Sequence, residues 1–510
     1  MPRFKSYNYN QSMMVPVNLE DQITEGTLEF AIHYLIDHEM DLSIFDEKFI
    51  NDETGCPAYD PKILLKIILF GYSRGFLSSR QLERACRENI IFMALTCGQA
   101  PDHCTISRFV SSMDSYILPL FRNILLVCEN ENLLGGTVFA IDGCKLPGNA
   151  SKHWSGTISE LKHKAEKLDA KIQSLLQNHQ SLDEEAFSDS AHADKAKLEK
   201  RINRLQRRLA SVRQWSESGK PKIGQSGKEI KSNVTDNDSA KMLTSHGTLQ
   251  GYNAQAMVDD KHQIILYGEA MSKGQDFAHL KPVVTGAVDN VKELGHNKNY
   301  FKNKKILGDS NYHSDANLQF AKKQNIDAYI PDPRFRQRDP RFAHQGKYKP
   351  PKPRKKFTID EYEYDEATDS FTCPNGVHLK LIGRTALIKG NIYKRYRGPD
   401  GTCDDCPLKS KCMNSPSSKR KYLSVKVGVD PKNLSKEMID KIDSDAGRKI
   451  YQQRIAIVEP VFGNIRSVKR MDRFTMRGKQ KVNAQWNLFC LVHNIEKIMR
   501  YSAMFAQNPA

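Results

Sequence analysis

Two short apolar runs, each ending on an aspartate, constrain this chain more than any other feature. Val138-Phe139-Ala140-Ile141 stops at Asp142-Gly143, and Lys305-Ile306-Leu307-Gly308 stops at Asp309. Compact apolar runs closed by a turn former read as buried strands. Between them, Tyr252 to Val258 and Gln263 to Tyr267 read as two more strands around an Asp259-Asp260-Lys261-His262 turn. A helical segment from about Asp276 to Leu294 follows that pair, and a helix from about Ser314 to Gln324 follows Asp309. Ala328-Tyr329-Ile330 closes the series as a short strand.

Residues 158–215 interrupt the series with two heptad runs. Leu161, Ala165, Leu168, Ile172 and Leu175 form one seam, and Leu198, Ile202, Leu205, Leu209 and Val212 the other. Alternating steps of four and three keep each set on one helix face. The polar stretch between them lets the chain double back, which predicts an antiparallel helical hairpin acting as a structural spacer or a dimer contact. With the hairpin set aside, residues 133–333 have the element order of a ribonuclease-H-like α/β core. The whole chain reads as multi-domain: this core carries the helical-hairpin insertion and is followed by a Cys-containing insertion.

Residues 1–132 read as a helical N-terminal DNA-binding domain. Ile63, Leu64, Ile67 and Ile68 follow Pro61 at helical spacing, Ser78 and Ser79 offer a cap for a second helix, and a third begins near Thr105. Short helices joined by short turns suit a helix-turn-helix-like reader. Residues 334–444 read as a basic linker and Cys-rich insertion. From Arg334 to Lys356 there are ten Lys or Arg, one acidic residue and four prolines, an extended positive segment suited to phosphates. Residues 445–510 read as a helical C-terminus ending in an amphipathic helix from about Lys479 to Tyr501.

Lys plus Arg exceed Asp plus Glu by 77 − 60 = 17, so an acidic polymer is the natural partner. The opening Met1 to Ser6 has no apolar core, and no run is long enough to span a bilayer. Together with reduced thiols, these features predict a cytoplasmic protein.

Cleavage of a phosphodiester with two metal ions needs carboxylates that converge from distant parts of a chain. A ribonuclease-H-like sheet brings the end of its first strand beside the end of its fourth, where Asp142 and Asp309 fall. The third acid is expected on a later helix, and Glu459 fits. Arg466 lies seven residues beyond it, on the same helical face, where it could grip a phosphate. Pro460 cannot donate an amide hydrogen bond, which predicts a kink or restart beside Glu459.

These residues carry a family resemblance. The chain resembles the DDE transposases of bacterial insertion sequences, in the branch with a Tyr-Arg-Glu-Lys signature, and within it the insertion-sequence family numbered eleven eighty-two. The similar pieces include Pro101 to Phe109, Ala140-Ile141-Asp142-Gly143, Thr235-Asp236-Asn237-Asp238-Ser239, Gly251 to Gln255, Gly308 to Ser314 and Val458 to Gly463. The resemblance implies that Asp142, Asp309 and Glu459 bind Mg²⁺ or Mn²⁺, and that Tyr451, Arg454 and Arg466 contact DNA near the cleaved end. It implies double-stranded DNA with terminal inverted repeats, and target DNA, as partners of a homodimer associated with the nucleoid. Two departures stand out. Four residues separate Arg454 from Glu459 where the signature has three, which turns Arg454 away by about 140° on an ideal helix. Arg466 also replaces a lysine. A nuclease of the same fold that cuts without joining, and a catalytically inactive DNA-binding protein, are the rival readings.

Seven of the eleven cysteines are scattered singly and read as small core residues. Cys373, Cys403, Cys406 and Cys412 cluster, and their spacing is compatible with a structural Zn²⁺ site, an iron–sulfur cluster or free thiols.

Overall fold

The computed structural model describes residues 10, 16–48, 57–185, 189–224, 227–245, 247–342, 344–345, 356–388, 391–415, 417–426 and 434–505. The N-terminal helices are α1 (Leu28–Tyr34), α2 (Pro61–Ser73), α3 (Ser79–Glu88), α4 (Ile90–Leu95), α5 (His103–Ser111) and α6 (Ile117–Asn130). Local chemistry fixes their starts. Asp60 caps α2 through Lys62 N at 2.7 Å with Pro61 just inside, Ser78 and Gln81 form a capping box on α3, and Asp102 accepts from Thr105 N at 2.6 Å.

The central sheet contains β1 (Val138–Pro147), β2 (Gly247–Asp259), β3 (Ile265–Met271), β4 (Lys305–Gly308) and β5 (Asp327–Tyr329). Their order is β3-β2-β1-β4-β5, antiparallel among the first three strands and parallel from β1 to β5. A short strand, Ala240–Thr244, extends the β2 edge ahead of β3. Alternation gives the sheet two buried faces. Phe139, Ile141, Met257, Leu266 and Ile306 pack against α9 (Leu280–Glu293) and α10 (Asp315–Lys323). Ala140, Ala256 and Leu307 face the opposite core.

Between β1 and β2 the chain forms α7 (Ile158–Glu185) and α8 (Asp189–Ser218). Leu161, Ala165, Ile172, Ile202, Leu205, Leu209 and Val212 are buried along their seam, and Leu168, Leu175 and Leu198 pack on it. The Thr235 to Ser239 motif braces the hairpin's base. Asp236 accepts the buried Tyr252 hydroxyl at 2.9 Å, and Asp238 caps the last helix through Lys479 N at 2.8 Å.

A second, antiparallel sheet runs in chain order through β6 (Glu363–Asp365), β7 (Ser370–Thr372), β8 (His378–Ile388), β9 (Asn391–Arg397) and β10 (Tyr422–Lys426). Tyr362, Phe371, Leu379, Tyr396 and Val425 form its small core. The chain ends in α11 (Leu434–Asp443), α12 (Asp445–Gly463) and α13 (Lys479–Tyr501).

The expectation of an amphipathic last helix is corrected here: α13 is enclosed, with every residue from Ala484 to Ile495 buried. Its polar residues are satisfied inside. Asn494 both accepts from Ile265 N and donates to Ile265 O at 2.9 Å, and Trp486 donates to Gln255 O at 3.0 Å. One apolar core runs from Leu65 and Ile124 through Ala256 to Leu488 and Leu491, so N-terminal helices, sheet and C-terminal helices share it. The scattered cysteines are also not all core residues: Cys97 and Cys104 are exposed, and Cys56 lies outside the described residues.

Of the basic segment, residues 343 and 346–355 lie outside the described residues. In its described part, Arg338 pairs with Asp332 and Asp443, and Arg341 with Asp339. No described helix is long and apolar enough to cross a membrane.

Candidate active site

Strand register brings the two aspartates together. Ile141 of β1 lies opposite Gly308 of the parallel strand β4, so Asp142 and Asp309 are the next residues along neighbouring strands. Such strands run about 4.8 Å apart. The Asp142 carboxylate accepts from Gly143 N at 2.8 Å and from Arg454 Nη1 at 2.9 Å. Asp309 ends its strand as the cap of a tight turn, accepting from Asn311 N at 2.7 Å and Asn311 Nδ2 at 3.0 Å. Burial pushes the Asp309 carboxyl above the usual range, and the charges of Asp142 and Asp276 add to that, while the Asn311 amide and Arg454 oppose it.

Helix α12 lies over these strand ends. It starts at Ser444, which caps Gly447 N at 3.0 Å, and it continues through Pro460 rather than restarting there. Proline leaves the Ala456 carbonyl without its helical donor. Gln263 Nε2 supplies one instead at 2.8 Å, one turn before Pro460. After Gly463 the backbone widens into a π-turn, Asn464–Val468, closed by Lys469 N to Asn464 O at 3.0 Å. Arg466 sits in this turn, a feature common at functional sites. Glu459, Arg466, Asp142 and Asp472 line one cavity of about 490 Å³.

Arg454 and Tyr451 lie deeper on the same helix. Arg454 is turned from the exposed Glu459 and uses its guanidinium on Asp142. Burial alone would weaken its charge, but Asp142, Tyr451 and Asp309 outweigh that and hold its pKa above the usual value. Its Nε is buried without a partner. The Tyr451 ring meets Phe335 edge-on at 5.4 Å, and burial raises its hydroxyl pKa, with Arg454 opposing.

A polar layer on the opposite sheet face was not foreseen from the sequence. Asn253 and Gln255 donate to Asp276 at 2.6 and 2.9 Å, and the buried Tyr312 hydroxyl donates to Gln255. A Cβ at Gly143 would collide with Gln255 and stand 2.8 Å from Asn253 Oδ1, so any larger residue beside Asp142 must displace these two side chains. The signal was present: Asn253 and Gln255 alternate with alanine in a strand buried on both faces, where unpaired amides are costly.

Cys373, Cys403, Cys406 and Cys412 line a single pocket at one end of the second sheet. Burial pushes the Cys403 thiol up, and Cys412 Sγ lies 3.1 Å from the Tyr362 hydroxyl. Among the described residues, no group of three or more His, Cys, Asp or Glu side chains is arranged to hold a metal ion. The donor chemistry nevertheless fits: hard carboxylate oxygens at the sheet ends suit Mg²⁺ or Mn²⁺, and four sulfurs suit Zn²⁺.

Neither a curated protein nor a solved structure matches the chain. Two family comparisons do, and they cover the segment holding the cysteines, Glu459 and Arg466, and most of the N-terminal helices, but not Asp142 or Asp309. Residues 372–499 match the family described as transposase DDE domain and residues 17–112 a transposase domain family (DUF772), and together they support a DDE transposase.

Proposed function

We propose that this chain cuts DNA at the ends of a mobile element and joins the freed ends to target DNA, with Asp142, Asp309 and Glu459 as its catalytic acids. The observations that support this reading are two: Asp142 and Asp309 directly follow paired residues of adjacent parallel strands, and Asp142 shares a cavity lining with Glu459. The β3-β2-β1-β4-β5 order supports a ribonuclease-H-like core, with α7–α8 and the cysteine-bearing sheet as insertions.

Asp142, Asp309 and Glu459 would hold Mg²⁺ or Mn²⁺, which supplies an activated attacking oxygen and a stabilised leaving oxygen. In the first reaction water attacks phosphorus, the bond to the 3′-oxygen breaks, and that oxygen leaves as a 3′-hydroxyl. In the second, this hydroxyl attacks a target phosphodiester and displaces another 3′-oxygen. Arg466 reaches a phosphate across the cleft as a planar fork, while Tyr451 and Arg454, set deeper on the helix, would meet the DNA beside the cut only if Arg454 is released from Asp142. The substrate is double-stranded DNA with terminal inverted repeats, bound by a homodimer because two ends must meet, in a cytoplasmic, nucleoid-associated setting. The family is the insertion-sequence group numbered eleven eighty-two. Cys373, Cys403, Cys406 and Cys412 would hold a structural Zn²⁺ that staples the second sheet.

A strand-transfer assay with labelled element ends, target plasmid and Mg²⁺ tests the reading. Joined product is expected. Cut ends without joined product mean a nuclease of the same fold, and intact DNA that is nonetheless bound means an inactive DNA-binding protein.

A further inference from the structure

A second cavity, about 970 Å³ against about 490 Å³ for the acidic cleft, opens between α8 and the segment that follows the π-turn. Lys200, Arg204, Arg207, Arg208, Arg473 and Arg477 line it, and no Asp or Glu does. Of the α8 bases, Lys200, Arg204 and Arg207 lie opposite the Leu198, Ile202, Leu205, Leu209 and Val212 seam at 100° per residue, and Arg208 flanks it. One helix thus packs with one face and presents charge with the other. Arg473 donates to Gly148 O at 3.3 Å and Arg477 to Asn149 O at 2.9 Å, which ties their guanidiniums to the end of β1 and leaves further N–H donors on each. The Arg208 guanidinium lies over the Trp154 ring, 5.6 Å from its centre.

The groove continues the acidic cleft. Asp472 lines the cleft and the next residue, Arg473, lines the groove; Cys144 of β1 lines the cleft and Asn149, just past the strand, lines the groove. From Asp142 to Asn149 an extended chain covers about 23 Å at most, at about 3.3 Å per residue. At 3.4 Å of rise that is about seven base pairs of duplex. Six like charges in one concavity repel each other, and an anionic polymer with regularly spaced charges relieves that repulsion.

We propose that this groove binds the sugar–phosphate backbone of duplex DNA, within about seven base pairs of the phosphate held at Asp142, Asp309 and Glu459. The hairpin is then a DNA clamp rather than a spacer. The proposal rests on reading the cleft as a DNA-cutting site, and its test separates the two. Lys200, Arg204 and Arg207 are exposed and lie off the seam, so Lys200→Gln/Arg204→Gln/Arg207→Gln leaves the fold intact. Binding of fluorescent duplex DNA of arbitrary sequence is measured across salt concentrations, without divalent metal. Each lost phosphate contact lowers the log–log salt slope by about 0.9, so three lower it by about 2.7, or about 40-fold less affinity lost between about 50 and 200 mM salt. Lys200→Arg/Arg204→Lys/Arg207→Lys should keep the parent slope. A triple Gln variant with the parent slope overturns the proposal, as does equal loss in both variants. A parent that shows the groove-dependent slope yet cuts nothing supports the groove and removes only the catalytic reading.

Discussion

Arg454→Met should unbalance the acid pair in the metal-free protein. Arg454 and Asp142 meet at 2.9 Å with side chains 11% and 23% exposed. At charge centres about 4 Å apart and an effective dielectric near 20, their attraction is about 4 kcal/mol. Removing one partner of a buried pair costs about 3–5 kcal/mol, because the other charge stays desolvated. Asp142 keeps some contact with water, so the lower end, about 3 kcal/mol, is expected. Urea unfolding at about pH 7.5 without divalent metal measures this, and Asp142→Asn in the Arg454→Met background should recover most of it, as a coupled pair must. The deficit also has a sign in pH. Burial raises the Asp309 carboxyl and Arg454 opposes that rise, so losing Arg454 lifts its folded pKa further above the unfolded value. Such an acid is penalised when ionised: the cost is full above the folded pKa, fades as pH falls below it, and is gone below the unfolded pKa. The variant's deficit should therefore shrink on acidification. A deficit below about 1 kcal/mol, or one independent of pH, refutes this account of Arg454.

Asp309→Asn should abolish cutting and joining while making the metal-free protein at least as stable as the parent above the unfolded carboxyl pKa, since burial penalises the charge it removes; activity and urea midpoints read the two effects. Gly143→Ala should cost about 1–3 kcal/mol by forcing Gln255 and Asn253 off their bonds to Asp276, seen as a lower urea midpoint with the denaturant slope unchanged. Cys403→Ser should lower bound zinc in protein purified without chelator; zinc equal to the parent's, or absent from both, contradicts the four-sulfur site.

Much of this was legible in the sequence because periodicity and punctuation carried it. Asp142 and Asp309 follow apolar runs whose strand identity needs no tertiary knowledge, and the hairpin seam was fixed by its steps of four and three. Where long-range packing decides, the sequence was silent. The enclosed α13 looks amphipathic because Gln485, Asn487, His493 and Asn494 are polar, yet each is buried, and Asn494 completes the hydrogen bonding of Ile265. The sequence reading of 334–444 as a basic linker and Cys-rich insertion assigned no strands to it, although His378 to Ile382 and Tyr422 to Lys426 alternate and lie in the second sheet. Arg454 is the subtlest case. Its offset from Glu459 was visible, but only the fold shows that the offset aims it at Asp142.

The most direct test of the central claim is Mn²⁺ located by anomalous diffraction in crystals of the full chain. Anomalous peaks about 2.1–2.2 Å from carboxylate oxygens of both Asp142 and Asp309, with Glu459 completing the site, are predicted, and they should vanish in Asp309→Asn. Peaks elsewhere, or peaks that persist in Asp309→Asn, would contradict the assignment of these three residues as the catalytic acids.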